Sequence, residues 1–122
     1  DKNTLKTKFD NIYAIGDVTA IKLPGQYKPD VSLMLPKAGV FAHNQAEVVA
    51  NNLAVEITGV GSKKEFNGDC SCFLEIGYGK AGYAKGSFYS QPQPVVDMKN
   101  PAQWWHWNKV LFEKYWLWKW FK

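Results

Sequence analysis

A short apolar run that ends in Gly-Asp constrains the fold of this chain most strongly. Residues 12–15 read Ile-Tyr-Ala-Ile, with Asn11 before them and Gly16 and Asp17 after them. An apolar run of this length between turn-forming residues predicts a strand buried on both faces, as in a parallel sheet. Asp17 would then either cap a turn after the strand or accept a hydrogen bond from a ligand hydroxyl. We therefore expect the stretch 11–18 to need neighbouring strands.

A long helix is predicted over residues 38–58. Its apolar residues recur every three or four positions and so share one helical face: Ala42, Ala46, Val49, Leu53 and Ile57. Gly59 and Gly61 follow as helix-stop residues. Pro-Lys-Ala-Gly at 36–39 opens this helix, and the free N–H groups of a helix N-terminus stabilise negative charge. The segment is either an ordinary Pro-initiated helix start with an exposed lysine or a helix end that faces an anion.

The segments on either side of this helix carry weaker signals. Proline and glycine between positions 24 and 29 favour an irregular excursion over residues 19–35. Alternating side chains over residues 70–89 predict an antiparallel hairpin, with its turn at 79–82. Prolines between positions 92 and 101 indicate an extended linker after the hairpin.

The aromatic residues concentrate at the end of the chain. All six tryptophans lie in the last 19 residues: Trp104, Trp105, Trp107, Trp116, Trp118 and Trp120. Residues 102–122 favour a helix, and Pro101 suits the start of one. Tryptophan interleaved with lysine is typical of a helix in a membrane interface, because indoles prefer the headgroup region and lysines reach the phosphates. Packing into a partner domain or a dimer interface is the alternative, since aromatic residues are enriched there too.

Charge and cysteine content narrow the function classes. The 122 residues carry a net charge of +4 without any arginine or nucleic-acid-binding motif, so an anionic membrane surface is a better partner than nucleic acid. Two cysteines, Cys70 and Cys72, are too few for a disulfide framework, and no second ligand pair lies at zinc-binding spacing. No metal site is therefore expected. No apolar run is long enough to span a bilayer.

Three motifs in this order resemble the C-terminal FAD-binding segment of the pyridine-nucleotide-disulfide oxidoreductases. They are Asn-Ile-Tyr-Ala-Ile-Gly-Asp at 11–17, Leu-Pro-Lys-Ala-Gly at 35–39 and Gln-Ala-Glu-Val-Val-Ala at 45–50. Within that superfamily the chain is most similar to the sulfide:quinone oxidoreductases, through Cys-Phe-Leu-Glu-Ile-Gly from Cys72 and Lys-Val-Leu-Phe-Glu-Lys-Tyr from Lys109. The resemblance covers nearly the whole chain.

The resemblance implies a fold and a division of the chain. The fold class expected is α+β, with a short strand, a long helix, an antiparallel β-hairpin and a C-terminal aromatic helix, as a C-terminal fragment of a two-Rossmann FAD/NAD(P)-binding enzyme. Residues 1–61 would complete the FAD-binding domain, 62–100 would form the hairpin and linker, and 101–122 the membrane-associating helix. The fingerprint Gly-x-Gly-x-x-Gly is absent from the chain, so we expect the isolated fragment to bind FAD weakly at most.

The resemblance also implies a cofactor and a redox thiol. FAD would be bound by Gly16, Asp17, Lys37, Ala38 and Gly39, with Asp17 accepting from a ribityl hydroxyl and the helix start facing the anionic edge of the reduced flavin. Cys72 would be the catalytic cysteine, which with a second cysteine outside this chain oxidises sulfide and holds the sulfur.

An inert cysteine on a strand is the alternative for Cys72. For Cys70 this structural role is the expectation.

A quinone site is implied by further residues. Lys109 and Phe112, three positions apart on the last helix, would border the quinone with an ammonium group and an aromatic ring. His43 stands where the family has a glutamate and would be either a proton relay for the quinone or a surface residue. Ser71 stands where several family members have an apolar residue beside the quinone.

The function expected is that of the C-terminal part of a membrane-associated, FAD-dependent oxidoreductase, peripheral on the cytoplasmic membrane, which passes electrons from sulfide through a redox cysteine and flavin to a quinone. Its partner would be a missing N-terminal FAD/NAD(P)-binding region, without which the fragment would be inactive. An NAD(P)H-dependent flavin dehydrogenase, in which Cys72 is dispensable, is one alternative. A non-catalytic membrane-anchoring or oligomerisation module, with homo-oligomers joined through the tail, is another.

Overall fold

The computed structural model describes residues 1–122 and divides them into two compact units. The first unit comprises Asp1–Cys70 and Gly86–Val95, and the second comprises Ser71–Lys85 and Val96–Lys122. Two helices, a two-stranded sheet and a three-stranded sheet of order β3-β4-β5 confirm the α+β fold class. In chain order the elements are β1 Lys22–Lys28, β2 Val31–Met34, α1 Gly39–Thr58, β3 Asp69–Gly77, β4 Lys80–Ser87, β5 Val95–Ala102 and α2 Gln103–Trp120.

The stretch 11–18 differs from the buried strand that its composition predicts. It forms one isolated antiparallel bridge, between Lys6 and Tyr13, and then a 3-10 turn at Gly16–Val18. Ile12 is 53% exposed and Ile15 is 38% exposed. An apolar strand is buried on both faces only where neighbouring strands flank it and other layers cover it. Within this chain the stretch has a single bridge instead of two flanking strands, so Ile12 and Ile15 stay exposed.

Residues 19–35 form a hairpin, so the predicted irregular excursion is wrong. Strands β1 and β2 pair antiparallel with two register shifts, which lie between Lys22 and Gln26 and between Gln26 and Lys28. A two-stranded sheet has only edge strands, and Pro24 is therefore tolerated although it lacks an N–H group. The proline and glycine residues that predict irregular structure thus lie in a short two-stranded sheet, whose register shifts accommodate them.

Helix α1 confirms the predicted long helix but buries a different face. Gly59 ends it in the left-handed region, with φ of 69°, and donates its N–H to the Val55 carbonyl at 2.9 Å. The buried residues are Phe41, Gln45, Val48, Val49 and Asn52, and of the apolar face named from the sequence only Val49 is among them. Ile57 is 82% exposed. Polar Gln45 and Asn52 are buried because each hydrogen-bonds to backbone, which hydrophobic periodicity does not register.

The core of the first unit gathers apolar side chains around α1 and the hairpin: Leu5, Ile21, Leu23, Leu35, Phe41, Val48, Val49 and Phe66. Phe66 is 2% exposed and meets the rings of Phe41 and Tyr89 edge-on, with centroids 6.3 and 5.6 Å apart. Gly68 makes room for Tyr89, because a Cβ at that position would lie 2.6 Å from its ring. This core holds the start of α1 against the turn at Gly16–Val18.

The second unit is built on the β3–β4 hairpin. Its turn is Tyr78-Gly79, with φ of 54° and 67°, so it is shorter and earlier than the predicted turn at 79–82. Positive φ at both central residues is the type I′ arrangement that matches the twist of a hairpin. Val95–Ala102 forms strand β5 where a linker is predicted, and Pro101 fits there because β5 is an edge strand. Helix α2 follows directly, as predicted.

Candidate functional site

The Gly16 turn is fastened to helix α1. The Gly16 N–H donates to Gln45 Oε1 at 2.6 Å, and the Thr19 hydroxyl donates to the Gly16 carbonyl at 2.8 Å. Gly16 has φ of 69°, and a Cβ on it would lie 3.2 Å from the Ala42 Cβ. A residue without a side chain is therefore required for both the backbone conformation and the close approach to α1. Asp17 follows with an exposed side chain.

The start of α1 is open. Ala38 is its N-cap residue, in an extended conformation and without a side-chain capping bond. A Cβ at Gly39 would meet no atom within 4 Å, so the helix faces open space at this residue. Lys37 donates from Nζ to the Thr19 carbonyl and is thereby held on the loop that follows Asp17. All the predicted cofactor residues thus lie in the first unit, beside the junction of the Gly16 turn and α1.

The donors at this junction fit an acceptor-rich ligand such as FAD. The first N–H groups of a helix have no partner in the helix, and here no side chain caps them. Gln45 is 1% exposed, and its Nε2 is buried without a hydrogen-bond partner although its Oε1 accepts from Gly16. Buried polar atoms are nearly always paired. Gln45 was not among the residues predicted for the site, although it is the first residue of the family-like motif at 45–50.

A polar trio links strand β3 to helix α2. Glu75 receives His106 Nδ1 at 2.7 Å on Oε1 and Lys109 Nζ at 3.1 Å on Oε2. Hydrogen bonds from Lys109 and then from His106 lower the pKa of Glu75. The carboxylate is therefore ionised at neutral pH and balances the Lys109 ammonium. Glu75 and His106 were not among the residues predicted for the site, whereas Lys109 was.

Phe112 belongs to a continuous row of aromatic rings, which we call the aromatic row. Its members, in order of contact, are Trp105, Tyr83, Phe73, Phe112, Trp116 and Trp120, with successive centroids 4.8, 5.4, 6.2, 5.5 and 5.9 Å apart. Trp105 and Tyr83 stack with an interplanar angle of 12°. The row crosses from the sheet to α2 and passes directly beside the polar trio. Lys109 and Phe112, three residues apart on α2, thus contact Glu75 and Phe73, which lie on one face of β3.

The two cysteines lie in different surroundings. Both are of intermediate exposure and neither forms a disulfide, and Cys70 packs against the core of the first unit. Side chains alternate along a strand, and Phe73 and Glu75 of β3 both contact α2. Cys72 therefore lies on the face of β3 opposite to α2, whereas Ser71 lies on the same face as Phe73 and Glu75.

His43 belongs to the first unit, on α1, where its Nε2 lies 3.2 Å from a Glu47 carboxylate oxygen. It is thus paired within its own helix.

Helix α2 buries no residue completely. Trp104, Trp107 and Trp118 are 66, 57 and 59% exposed, and with Leu111 and Tyr115 they form one stripe at helical spacing. We call these five residues the exposed stripe. Trp105 and Trp116 are half-buried in the aromatic row instead, and Trp120, at 52%, is exposed at its end. Neither helix is long and apolar enough to cross a bilayer.

Comparison with known proteins supports the resemblance found in the motifs. The chain is 32% identical over 111 residues to a sulfide-quinone reductase of Aquifex aeolicus, which covers 91% of this chain and 25% of that protein. It is 32% identical over 90 residues to a mitochondrial sulfide:quinone oxidoreductase of Schizosaccharomyces pombe, which covers 74% of this chain and 17% of that protein. The chain thus spans about a quarter of the length of the first relative and less of the second. These relatives confirm its similarity to the sulfide:quinone oxidoreductases.

No protein-family model matches the chain. No solved structure matches it either.

Proposed function

We propose that this chain, similar as it is to the sulfide:quinone oxidoreductases, forms the C-terminal part of a membrane-associated flavoenzyme that oxidises sulfide and reduces a quinone. One observation carries the proposal. The chain resembles two enzymes named for quinone reduction, and in it Lys109 lies three residues before Phe112 of the aromatic row, on the same side of α2. A quinone needs a flat apolar surface for its ring and a donor for its carbonyl oxygen, and this face offers both.

The cofactor that fits the first unit is FAD. The Gly16 and Asp17 turn, Lys37, and the uncapped start of α1 at Ala38 and Gly39 would hold it. Asp17 is exposed and acceptor-only when ionised, which suits a sugar hydroxyl, and the open N–H groups of α1 suit a negatively charged ring edge. When bound, FAD would supply the two-electron carrier between the thiol and the quinone.

Cys72 is the thiol proposed to react with sulfide. It is free and of intermediate exposure, which a sulfur nucleophile requires. Cys70 packs against the core and is proposed to be structural. The second redox cysteine, together with the sheet that would flank residues 11–18, would come from an N-terminal FAD/NAD(P)-binding region, without which this part would be inactive.

Attachment to a membrane surface is proposed through α2. The exposed stripe offers three tryptophans to the headgroup region, and Lys114, Lys119 and Lys122 supply positive charge for anionic lipids. Since the aromatic row runs along the same helix, a quinone from the bilayer would meet apolar rings before it reaches Lys109. The surface proposed is that of the cytoplasmic membrane. His43 is proposed to assist proton transfer to the quinone.

The electron donor is the point that separates this function from its nearest alternative. In the intact protein that contains this chain, purified with its flavin under anaerobic conditions, sulfide is expected to bleach the visible flavin absorbance, and Cys72→Ser is expected to abolish the bleaching. NADH should have no such effect. Bleaching by NADH or NADPH that persists in Cys72→Ser would instead establish an NAD(P)H-dependent flavin dehydrogenase. Absence of any flavin, with lipid binding or self-association retained, would leave a non-catalytic anchoring or oligomerisation module.

A further inference from the structure

The trio of Glu75, His106 and Lys109 goes beyond the site residues that the family resemblance implies, because only Lys109 is among them. Glu75 lies within the motif that begins at Cys72, but the resemblance gives it no role. Glu75 uses both carboxylate oxygens, one for His106 and one for Lys109, at 2.7 and 3.1 Å. His106 and Lys109 are three residues apart on α2 and so project from the same side of the helix. One carboxylate on β3 therefore fixes two side chains of α2 at once.

The trio lies where the aromatic row passes from the sheet to the helix. Phe73 precedes Glu75 by two residues on β3 and shares its face, and its ring centroid lies 6.2 Å from that of Phe112. Phe112 in turn follows Lys109 by three residues. Glu75 and Phe73 on the strand thus stand opposite Lys109 and Phe112 on the helix, and the polar and the apolar pair are adjacent.

The trio also leaves room for a ligand. The side chains of Glu75, His106 and Lys109 are 33, 32 and 38% exposed, so none is sealed in the interior. An ammonium group has three donors, and the bond to Glu75 uses one of them. Two donors remain for an incoming acceptor.

A lysine ammonium on its flexible four-carbon stem would otherwise lose rotamer freedom when it meets a ligand. Glu75 removes that cost in advance because it holds the ammonium in place before the ligand arrives. His106 holds the carboxylate in place through its other oxygen, Oε1. This is the usual role of a hydrogen-bonded partner behind a binding group.

We propose that Glu75 is a positioning residue of the quinone site, which holds the Lys109 ammonium beside Phe112 for the carbonyl oxygen of a quinone and is itself braced by His106. The proposal rests on the function proposed above. It makes no change to the redox chemistry, because Glu75 acts on the ligand only through Lys109.

The test uses the intact flavin-loaded protein and a soluble short-chain ubiquinone. Glu75→Gln replaces one carboxylate oxygen by an NH2 group, which cannot accept a hydrogen bond, so Lys109 and His106 can no longer both be bound by this side chain. Glu113→Gln makes the same charge change at an exposed position of α2. Loss of a charged hydrogen bond predicts about a tenfold rise in KM for the quinone with Glu75→Gln. The kcat at saturating quinone should stay within about twofold, because the variant still binds and reacts. The dissociation constant from calorimetry on the oxidised protein should rise with KM.

A double-mutant cycle shows whether Glu75 acts through Lys109. Lys109→Gln alone should weaken quinone binding at least as much as Glu75→Gln, and the double variant should be no weaker than Lys109→Gln. His106→Gln should give a smaller effect in the same direction. If circular dichroism shows that Glu75→Gln does not fold, a second double-mutant cycle uses His106→Gln and Lys109→Gln, which leave β3 unchanged. The quinone KM is measured for each variant and for the pair.

The outcomes separate the two proposals. A wild-type protein that binds no quinone overturns the proposed function. If the wild type binds quinone and Glu75→Gln behaves as Glu113→Gln does, the positioning role of Glu75 is overturned while the proposed function stands. Additive effects of Glu75→Gln and Lys109→Gln would show that Glu75 acts independently of Lys109, and this too would overturn the inference.

Discussion

Removing the tryptophans of the exposed stripe should release the protein from lipid. The triple variant Trp104→Ala, Trp107→Ala and Trp118→Ala deletes indoles that are 66, 57 and 59% exposed. Alanine is the best helix former, and no residue of α2 is fully buried, so the helix should keep its structure. The variant therefore changes the outer surface of α2 and little else.

The magnitude follows from the exposed area. About three fifths of a tryptophan side chain of roughly 250 Å² amounts to about 150 Å², or about 3–4 kcal/mol on complete transfer from water at ~25 cal/mol/Å². A helix that lies in the interface submerges only one side, which leaves roughly half of this, or about 5 kcal/mol for three rings. At ~1.4 kcal/mol per decade, the partition coefficient should fall by roughly three to four orders of magnitude.

Co-sedimentation with vesicles that contain one part in four of an anionic phospholipid measures this coefficient. The matched control is Phe9→Ala, Tyr27→Ala and Val60→Ala, which removes three apolar side chains that are 60, 70 and 75% exposed in the first unit. The control should bind vesicles as the wild type does. Membrane contact through the exposed stripe is refuted if the partition coefficient of the tryptophan variant lies within about threefold of the wild-type value. It is also refuted if the control loses as much binding as the tryptophan variant.

Three further outcomes follow from the structure. Asn52 is 3% exposed and pairs with both the N–H and the carbonyl of Lys64, at 2.7 and 2.9 Å. Asn52→Leu should therefore lower the free energy of unfolding, measured in urea, by about 2–4 kcal/mol. The control Asn51→Leu loses bonds to Ser62 and to the Asn52 side chain and should lower it by less than half as much. Bonds from Lys63 and Lys6 lower the pKa of Glu56 to about 2. Its contribution to stability is therefore present above the ordinary pKa of 4.5 and is lost as pH falls towards 2. Glu56→Gln should make the free energy of unfolding fall less steeply between pH 4.5 and pH 2, and an unchanged slope would contradict this. Burial raises the pKa of Tyr89 to about 12. Its contribution to stability is therefore present below the ordinary pKa of 10.0 and is lost as pH rises to 12. Ultraviolet titration should find one tyrosine that ionises at a higher pH than the others, and this step should be absent in Tyr89→Phe.

The helices could be predicted from the sequence because their signals are local. A run of residues at helical spacing and the Gly59 stop place α1 within a residue of its observed bounds, and the aromatic tail similarly gives α2. The buried face of α1 could not be predicted in the same way. Gln45 and Asn52 are buried only because the backbone of Gly16 and of Lys64 reaches them, and those partners lie 29 and 12 residues away.

The strands show a similar limit. The turn between β3 and β4 uses Tyr78 at φ of 54°, a conformation in which a tyrosine is rare, so sequence rules place the turn on the glycine-rich residues after it. The β1–β2 hairpin is missed because its prolines and glycines count as breakers, although a two-stranded ribbon tolerates them.

The candidate site was predicted in part. Lys109 and Phe112 are recognised from a motif and lie together at the aromatic row. Glu75 escapes prediction because its partners His106 and Lys109 come from another element, 31 and 34 residues along the chain. Cys72 could be named from the sequence. The face of β3 on which it lies, opposite to α2, follows only from the observed contacts of Phe73 and Glu75 with that helix.

The proposed function depends most directly on Cys72. Sulfide-dependent reduction of a soluble quinone by the intact protein, followed as the loss of quinone absorbance, is the measurement that tests it. Cys72→Ser is expected to abolish turnover, while Cys70→Ser, the matched change two residues away, should retain it as long as the first unit stays folded. Sulfide-dependent turnover that survives Cys72→Ser would contradict the role of this thiol and with it the proposed function.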